Sequence, residues 1–151
     1  MHRIEESATR RFLIARAGED QVALDMRQLR GVTSDLNLLE PLGVGALRGL
    51  RGVKNIRGSI VPVIDVSEAR GGIPSRAAVE TRLALLVGGS ARRLWGLWLD
   101  EVIGVREIPA GEVSVPRLRE GGGAVAFLHF DDECIPVIDP VELSERGFAA
   151  A

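Results

Sequence analysis

The chain has a single cysteine, Cys134, and one thiol cannot close a disulfide within the molecule. A disulfide-stapled secreted scaffold is excluded, and a reducing compartment is favoured. The N-terminal MHRIEESATRR carries charges but no apolar h-region, and no run of about 18 uncharged apolar residues follows it. Export and direct membrane insertion are therefore unsupported, and a cytoplasmic location is expected. Low-complexity tracts and long linkers are missing as well.

Catalytic and cofactor patterns are equally sparse. His129 stands with Asp131, Asp132 and Cys134, but without paired CxxC or HxxxH spacing it makes a poor metal site, and a hairpin with an acidic turn is the expected reading. Gly88-Gly89 and Gly121 to Gly123 lack the Lys-Ser/Thr of a phosphate loop, and Gly43-x-Gly45-x-x-x-Gly49 has neither the spacing nor the βαβ setting of a dinucleotide loop. Neither histidine sits in a helical phosphotransfer setting. No metal or cofactor is expected. Asp65 and Asp139 could form a pseudo-symmetric aspartic dyad, but VIDVS and VIDPV lack the glycine that such proteases place two residues after the Asp. Strand-ending aspartates of this kind are expected to be helix caps.

What is present is a duplication. Aligning Asp65 with Asp139, an offset of 74, pairs Val61 with Ile135, Pro62 with Pro136, Val63 with Val137 and Ile64 with Ile138. ALDMRQLRGV (Ala23 to Val32) matches GLWLDEVIGV (Gly96 to Val105) at an offset of 73. Two matched segments in one order predict two similar half-domains, and a period this long excludes a solenoid. At 151 residues with 46% apolar and 26% charged content, the chain can bury a core unaided.

Most of the chain reads as short strands punctuated by turns: Arg11 to Ala17 with Gln21 to Met26, Gly52 to Ile56 with Ser59 to Ile64 about Arg57-Gly58, Glu80 to Val87 with Arg92 to Leu99, then Val102 to Ile108, Gly123 to Phe130 and Glu133 to Ile138. Short helices are expected at DMRQL behind Asp25, after Asp65, and from Pro140, with a helical turn over Ala46 to Arg51. Pro62 and Pro136 cannot donate to a ladder, so each strand should be at an edge or bulged there. The expected fold is all-β with a few short helices, built as two pseudo-symmetric five-stranded barrels resembling SH3 barrels. A single domain over 10–147 would hold lobe one at about 10–40 with 52–70 plus closing strands, and lobe two at about 79–140.

NIRGSIVPVID (Asn55 to Asp65) resembles the NLRG-x-x-x-PVID signature of the CheW-like domain, the chemotaxis coupling protein family. GLWLDEVIGV, ALDMRQLRGV and CIPVIDPVEL resemble that family's other conserved segments, so the likeness runs from Phe12 to Leu143. It implies a non-enzymatic adaptor that binds the regulatory domain of a CheA-type histidine kinase and the cytoplasmic tips of chemoreceptors in a two-component array controlling bacterial motility. The signature arginine falls on Arg57, within Asn55 to Gly58.

Charge points to the same stretch. Pro41 to Ile64 has no acidic residue, while Arg48, Arg51, Lys54 and Arg57 recur every three positions. Docking to an acidic protein surface is the functional reading. A nucleic-acid module is the alternative, but no aromatic lies among these cations to stack on bases, and none is expected as partner. Leu29, Val32, Val102 and Val105 occupy matched positions expected to meet at a groove between the lobes, where the resemblance implies that a receptor helix docks. Trp95 and Trp98, three apart, are expected on opposite faces of one strand, leaving one for an interface.

Overall fold

The computed structural model describes residues 8–41, 49–116 and 122–149. Among the described residues, twelve strands run in chain order: β1 (Thr9–Ala17), β2 (Asp20–Asp25), β3 (Leu29–Thr33), β4 (Glu40–Pro41), β5 (Leu50–Ile56), β6 (Ser59–Asp65), β7 (Arg82–Gly88), β8 (Arg93–Leu99), β9 (Glu101–Pro109), β10 (Val113–Ser114), β11 (Ala124–Phe130) and β12 (Glu133–Ile138). Helix α1 (Val66–Ala69) follows β6, helix α2 (Pro140–Ala149) follows β12, and a 3₁₀ turn, Ala110–Glu112, joins β9 to β10.

Two sheets of six strands result, ordered β10-β11-β12-β2-β1-β9 (lobe A) and β4-β5-β6-β8-β7-β3 (lobe B). In each, five strands are substantial and the sixth, β10 or β4, has two residues. Shifting every strand number by six turns one order into the other, so the duplication is a true pseudo-symmetry. The sheets do not, however, follow the division expected from the repeat. Residues 10–25 belong to the sheet of β9–β12, while β7 and β8 join the sheet of β3–β6. Each copy hands its first hairpin to the other copy's lobe.

The exchange is made by two parallel contacts. Val137 of β12 pairs with Ala23 of β2, and Val63 of β6 pairs with Gly96 of β8. Val63 to Val137 is the offset of 74, and Ala23 to Gly96 the offset of 73. Pro62 and Pro136 precede these contacts by one residue, so both lie where their strand has a partner on one side only: Val53 for Pro62 and Phe127 for Pro136. Neither strand is an edge strand of its sheet, and the ladder irregularities lie elsewhere, between Leu50 and Gly52 and between Ala124 and Ala126. The missing N–H is accommodated because pairing to the second neighbour has not yet begun.

The swapped hairpins are buried on both faces. Leu13, Ala15, Ala17, Val22 and Leu24 face a central core shared with Ile64, Val66, Ala84, Leu86, Leu97 and Leu99, while Phe12, Ile14 and Ala23 face the interior of lobe A with Ile108, Leu128, Ile135 and Val137. Trp98, Leu83 and Val63 fill lobe B. Burial on both sides explains why β1, β2 and β8 contain unbroken buried runs rather than alternation. Each fully buried Leu or Val contributes on the order of 1.5–3 kcal/mol, so the central core is the main adhesive between lobes. Lobe A curls on itself, since Arg106 of β9 stacks 4.7 Å from the Phe130 ring of β11, four strands away in the sheet.

The expected DMRQL helix does not form. Residues 26–28 make a turn, with the Gln28 N–H donating to the Asp25 carbonyl at 3.0 Å, and β3 starts at Leu29. The Asp25 carboxylate accepts from the Arg27 N–H at 2.9 Å, which closes the turn instead of nucleating a helix. The helical turn expected over Ala46 to Arg51 lies partly outside the described residues, and Leu50 and Arg51 are in β5.

Candidate functional site

The basic stretch from Arg48 to Arg57 is not one surface. Lys54 is 7% exposed; its Nζ donates to the Asn37 carbonyl at 2.8 Å and lies 3.2 Å from Asp35 Oδ1. The Asn37 N–H and then Lys54 hold the Asp35 carboxyl below its ordinary range. Arg51 Nη1 donates to Asp65 Oδ2 at 2.8 Å and to the Ser75 carbonyl at 2.9 Å, with the guanidinium 3.9 Å over the Trp98 ring. Asn55 is exposed, but its Oδ1 accepts from the Gly58 N–H at 2.8 Å and so holds the β5–β6 turn. Arg48 lies outside the described residues. Two of these cations are diverted inward: Lys54 is buried under the loop of Asp35 and Asn37, and Arg51 neutralises the buried Asp65 carboxylate.

Arg57 remains. It is exposed at the tip of the β5–β6 hairpin, with no hydrogen bond or ion pair from its side chain among the described residues. Its φ is +50°, and Gly58 follows at +87°, the two-residue left-handed turn that matches the twist of antiparallel strands. The equivalent β11–β12 turn carries Asp131 at +50° and Asp132 at +60°. One backbone shape is thus built with arginine in one lobe and aspartate in the other. The parallel pairing of β6 with β8 brings the Arg57 hairpin to the same end of lobe B as the exposed Arg92 of the β7–β8 turn and Arg93 at the start of β8. Sequence reading missed that grouping of arginines, although Arg92-Arg93 stand in plain view where β8 begins.

The four apolar candidates separate into two pairs. Leu29 and Val102 are half-buried against the central core, whereas Val32 on β3 and Val105 on β9 are 42% and 47% exposed. β3 and β9 are equivalent edge strands of the two sheets. Trp95 packs against the central core and Trp98 inside lobe B, so they take opposite faces of β8 as expected, but neither is left free: Trp98 is 4% exposed beneath Arg51.

Asp65 and Asp139 are caps. Asp65 Oδ1 accepts from the Glu68 N–H at 3.2 Å at the start of α1, and Oδ2 from the Ser75 N–H and Arg51. Asp139 Oδ2 accepts from the N–H groups of Val141 and Glu142 at 3.0 and 3.2 Å, and Oδ1 from Gln28 Nε2 at 2.9 Å. Each carboxylate is filled by its own donors, which leaves no shared proton and no dyad. Their helices rest on a second matched pair that sequence reading missed, Gly49 and Gly123, also 74 apart. Both have positive φ, and a Cβ would come within 2.8 Å of Ala69 at Gly49 and of Leu143 at Gly123. Extending the offset of 74 backwards from Asp65 would have found them.

His129 Nε2 lies 2.7 Å from Ser114 Oγ, and Asp131 and Asp132 form the acidic turn of the β11–β12 hairpin. The described residues contain no group of three or more His, Cys, Asp or Glu arranged to hold a metal ion. No helix among them is long and apolar enough to cross a membrane.

Comparison with known proteins adds three findings. A profile of the CheW-like domain matches residues 11–147. Protein FrzA of Myxococcus xanthus is 36% identical over 103 residues, which is 64% of this chain and 61% of FrzA, so the chain spans somewhat under two thirds of that relative. The crystal structure of the scaffolding protein TtCheW from Thermoanaerobacter tengcongensis superposes with a TM-score of 0.75 at 20% identity, covering 87% of this chain and 90% of that one. With its two exchanged β lobes and the profile match along nearly its whole length, the chain belongs to the CheW-like domain family.

Proposed function

We propose that this protein is a non-enzymatic coupling protein, joining a CheA-type histidine kinase through the kinase's regulatory domain to the cytoplasmic tips of chemoreceptors, in a cytoplasmic array attached to the inner membrane that controls motility. Family membership supports a scaffold role, and the carboxylates that might have formed a catalytic pair are engaged as helix caps. The observation that carries the kinase contact is Arg57: an exposed cation in a strained turn, held by no neighbour among the described residues, at a position where the other lobe uses aspartate. A side chain that the fold can exchange for its opposite charge is kept for a partner. Val32 and Val105, exposed on equivalent edge strands, are the apolar residues assigned to the receptor helix. Leu29 and Val102 support them from the core.

The test is a reconstituted array of receptor, kinase and this protein, read as kinase phosphorylation rate. Arg57→Ala should abolish or strongly reduce activation while changing folding stability by no more than about 0.5 kcal/mol, and Arg57→Asp should be worse. Normal activation by Arg57→Ala, or its failure to fold, removes Arg57 as the contact.

A further inference from the structure

Strand alternation puts Arg10, Phe12 and Ile14 of β1 on one face, the face that fills lobe A, and Asp25 of β2 lies opposite Phe12 in the register. Arg10 and Asp25 therefore close lobe A at the end away from the β1–β2 turn. A cavity of about 390 Å³ opens there, lined by Thr9, Arg10, Arg11, Asp25, Met26 and Arg27. The corresponding part of lobe B is filled. Leu36 and Leu38 pack on Trp98, Leu83 and Val63, whereas the matching stretch before β10, Pro109 to Glu112, brings no leucine to lobe A.

Donors outnumber acceptors in this cavity. Nη2 of Arg27 and Nη2 of Arg10 both donate to Asp25 Oδ2, at 2.7 and 2.8 Å, and the Arg10 guanidinium stacks 5.1 Å from the Phe12 ring. One carboxylate thus fixes two guanidiniums, yet Nε of Arg10 is buried and has no acceptor, and Nη1 of neither arginine makes a hydrogen bond among the described residues. Arg11 is exposed, with no hydrogen bond or ion pair from its side chain among the described residues; Glu107, its partner across β9, does not line the cavity. Three guanidiniums against one carboxylate leave a net charge of plus two. The fold does not need this arrangement: by strand register and the offset of 73, Arg10, Asp25 and Arg27 correspond to Thr81, Trp98 and Asp100 of lobe B.

We infer that this mouth of lobe A binds a small molecule bearing a phosphoryl dianion. Phosphoryl oxygens accept parallel N–H bonds from a guanidinium edge, and a phosphate monoester carries about −1.5 to −2 charges near pH 7, which matches the cavity. Asp25 stays in place and holds Arg10 and Arg27 for the ligand, which meets their unused edges. The volume falls within the roughly 300–1,000 Å³ of small-molecule sites, so there is room for a body beyond the phosphate, and Met26 offers it an apolar wall.

The isolated chain is enough for the test, with neither kinase nor receptor present, so the result is independent of the proposed function. Proton–nitrogen NMR of the arginine Nε–H groups reports the guanidiniums directly while phenyl phosphate, inorganic phosphate or benzoate is added. Phenyl phosphate should shift Arg10 and Arg27 saturably, in the millimolar range or tighter, and benzoate, with the same ring and one charge, should bind at least about ten-fold more weakly. Inorganic phosphate that binds as well as phenyl phosphate names free phosphate as the ligand; weaker binding names an ester. Arg11→Ala and Arg27→Gln should each weaken binding at least about three-fold, while Arg82→Ala, at the position of Arg11 in lobe B, should leave it unchanged. Benzoate that matches phenyl phosphate, equal losses in all three variants, or shifts spread evenly over the exposed arginines overturns the inference. Thermal melts verify folding; should Arg27→Gln not fold, the wild-type titrations with phenyl phosphate and benzoate decide alone.

Discussion

The Nη1 of Arg51 donates to Oδ2 of Asp65 at 2.8 Å, and Asp65 is fully buried. The same carboxylate caps α1 and binds the Ser75 N–H, so the arginine neutralises a charge that has nowhere else to go. Arg51→Ala leaves that charge in the interior and should cost about 3–5 kcal/mol in urea unfolding, against at most about 0.5 kcal/mol for Arg57→Ala. Equal costs for the two would mean that Arg51 belongs to a surface patch after all.

Cap removal gives a second expectation. Asp139→Ala deprives Val141 and Glu142 of their acceptor and Gln28 of its partner. Helix α2 should loosen at a cost of about 1–2 kcal/mol, seen as a lowered midpoint and as faster amide exchange in its first turn. An unchanged midpoint would show that α2 is held by packing alone.

The apolar candidates should separate in the same way that their burial does. Leu29→Asp and Val102→Asp place a charge against the central core and should lower stability by several kcal/mol. Val32→Asp and Val105→Asp, on exposed edge-strand positions, should melt within about 1 kcal/mol of wild type. Loss of receptor binding in the second pair, with folding intact, would tie the groove reading to those two residues; unfolding in both pairs would refute the division.

Asp25 supplies a pH dependence. Burial works to raise its carboxyl, but hydrogen bonds from Arg27, and then from Arg10, outweigh this and hold it below the ordinary value of 3.8. A carboxyl depressed in the folded state stabilises above its unfolded value, and that contribution is lost as pH falls through the folded value. Wild type should therefore be more stable than Asp25→Asn at pH 7, by about 1–3 kcal/mol, with the gap closing below about pH 4. A gap that persists undiminished at the lowest pH would assign the effect to shape rather than charge.

Turn chemistry allows a gain. Asp132 sits at φ +60° where its counterpart is Gly58, and a left-handed conformation costs a side-chain-bearing residue roughly 1 kcal/mol. Asp132→Gly should raise stability by about 0.5–1 kcal/mol in a chemical denaturation curve, and a loss would indicate that Asp132 has a folded-state role of its own.

Strands were legible wherever turn residues bracketed an apolar run, as at Arg57-Gly58 and Gly88-Gly89, because local geometry alone sets those boundaries. The repeat offsets of 73 and 74 also carried real structure, since they superimpose one parallel contact on the other: Val63 on Val137 and Ala23 on Gly96. What the sequence hid was the exchange of hairpins: pairing of β12 with β2 and of β6 with β8 is decided by burial on both faces, and no local signal in β1 or β7 says which copy it will serve. The basic stretch was misread for a related reason. Spacing of three shows that cations recur, but only tertiary placement reveals that Lys54 faces inward and Arg51 serves Asp65.

The exchange of hairpins also governs how the chain must fold. During synthesis β1 and β2 emerge first, yet their sheet partners β9 and β12 begin at Glu101 and Glu133, so the first hairpin must wait for most of the chain. Loop closure across such separations slows folding and leaves an apolar hairpin, later covered on both faces, exposed meanwhile. Cutting the chain between its two copies would yield fragments that each keep a hairpin belonging to the other, so neither half could complete a barrel alone; mixed together, they should reassemble as complementary pieces.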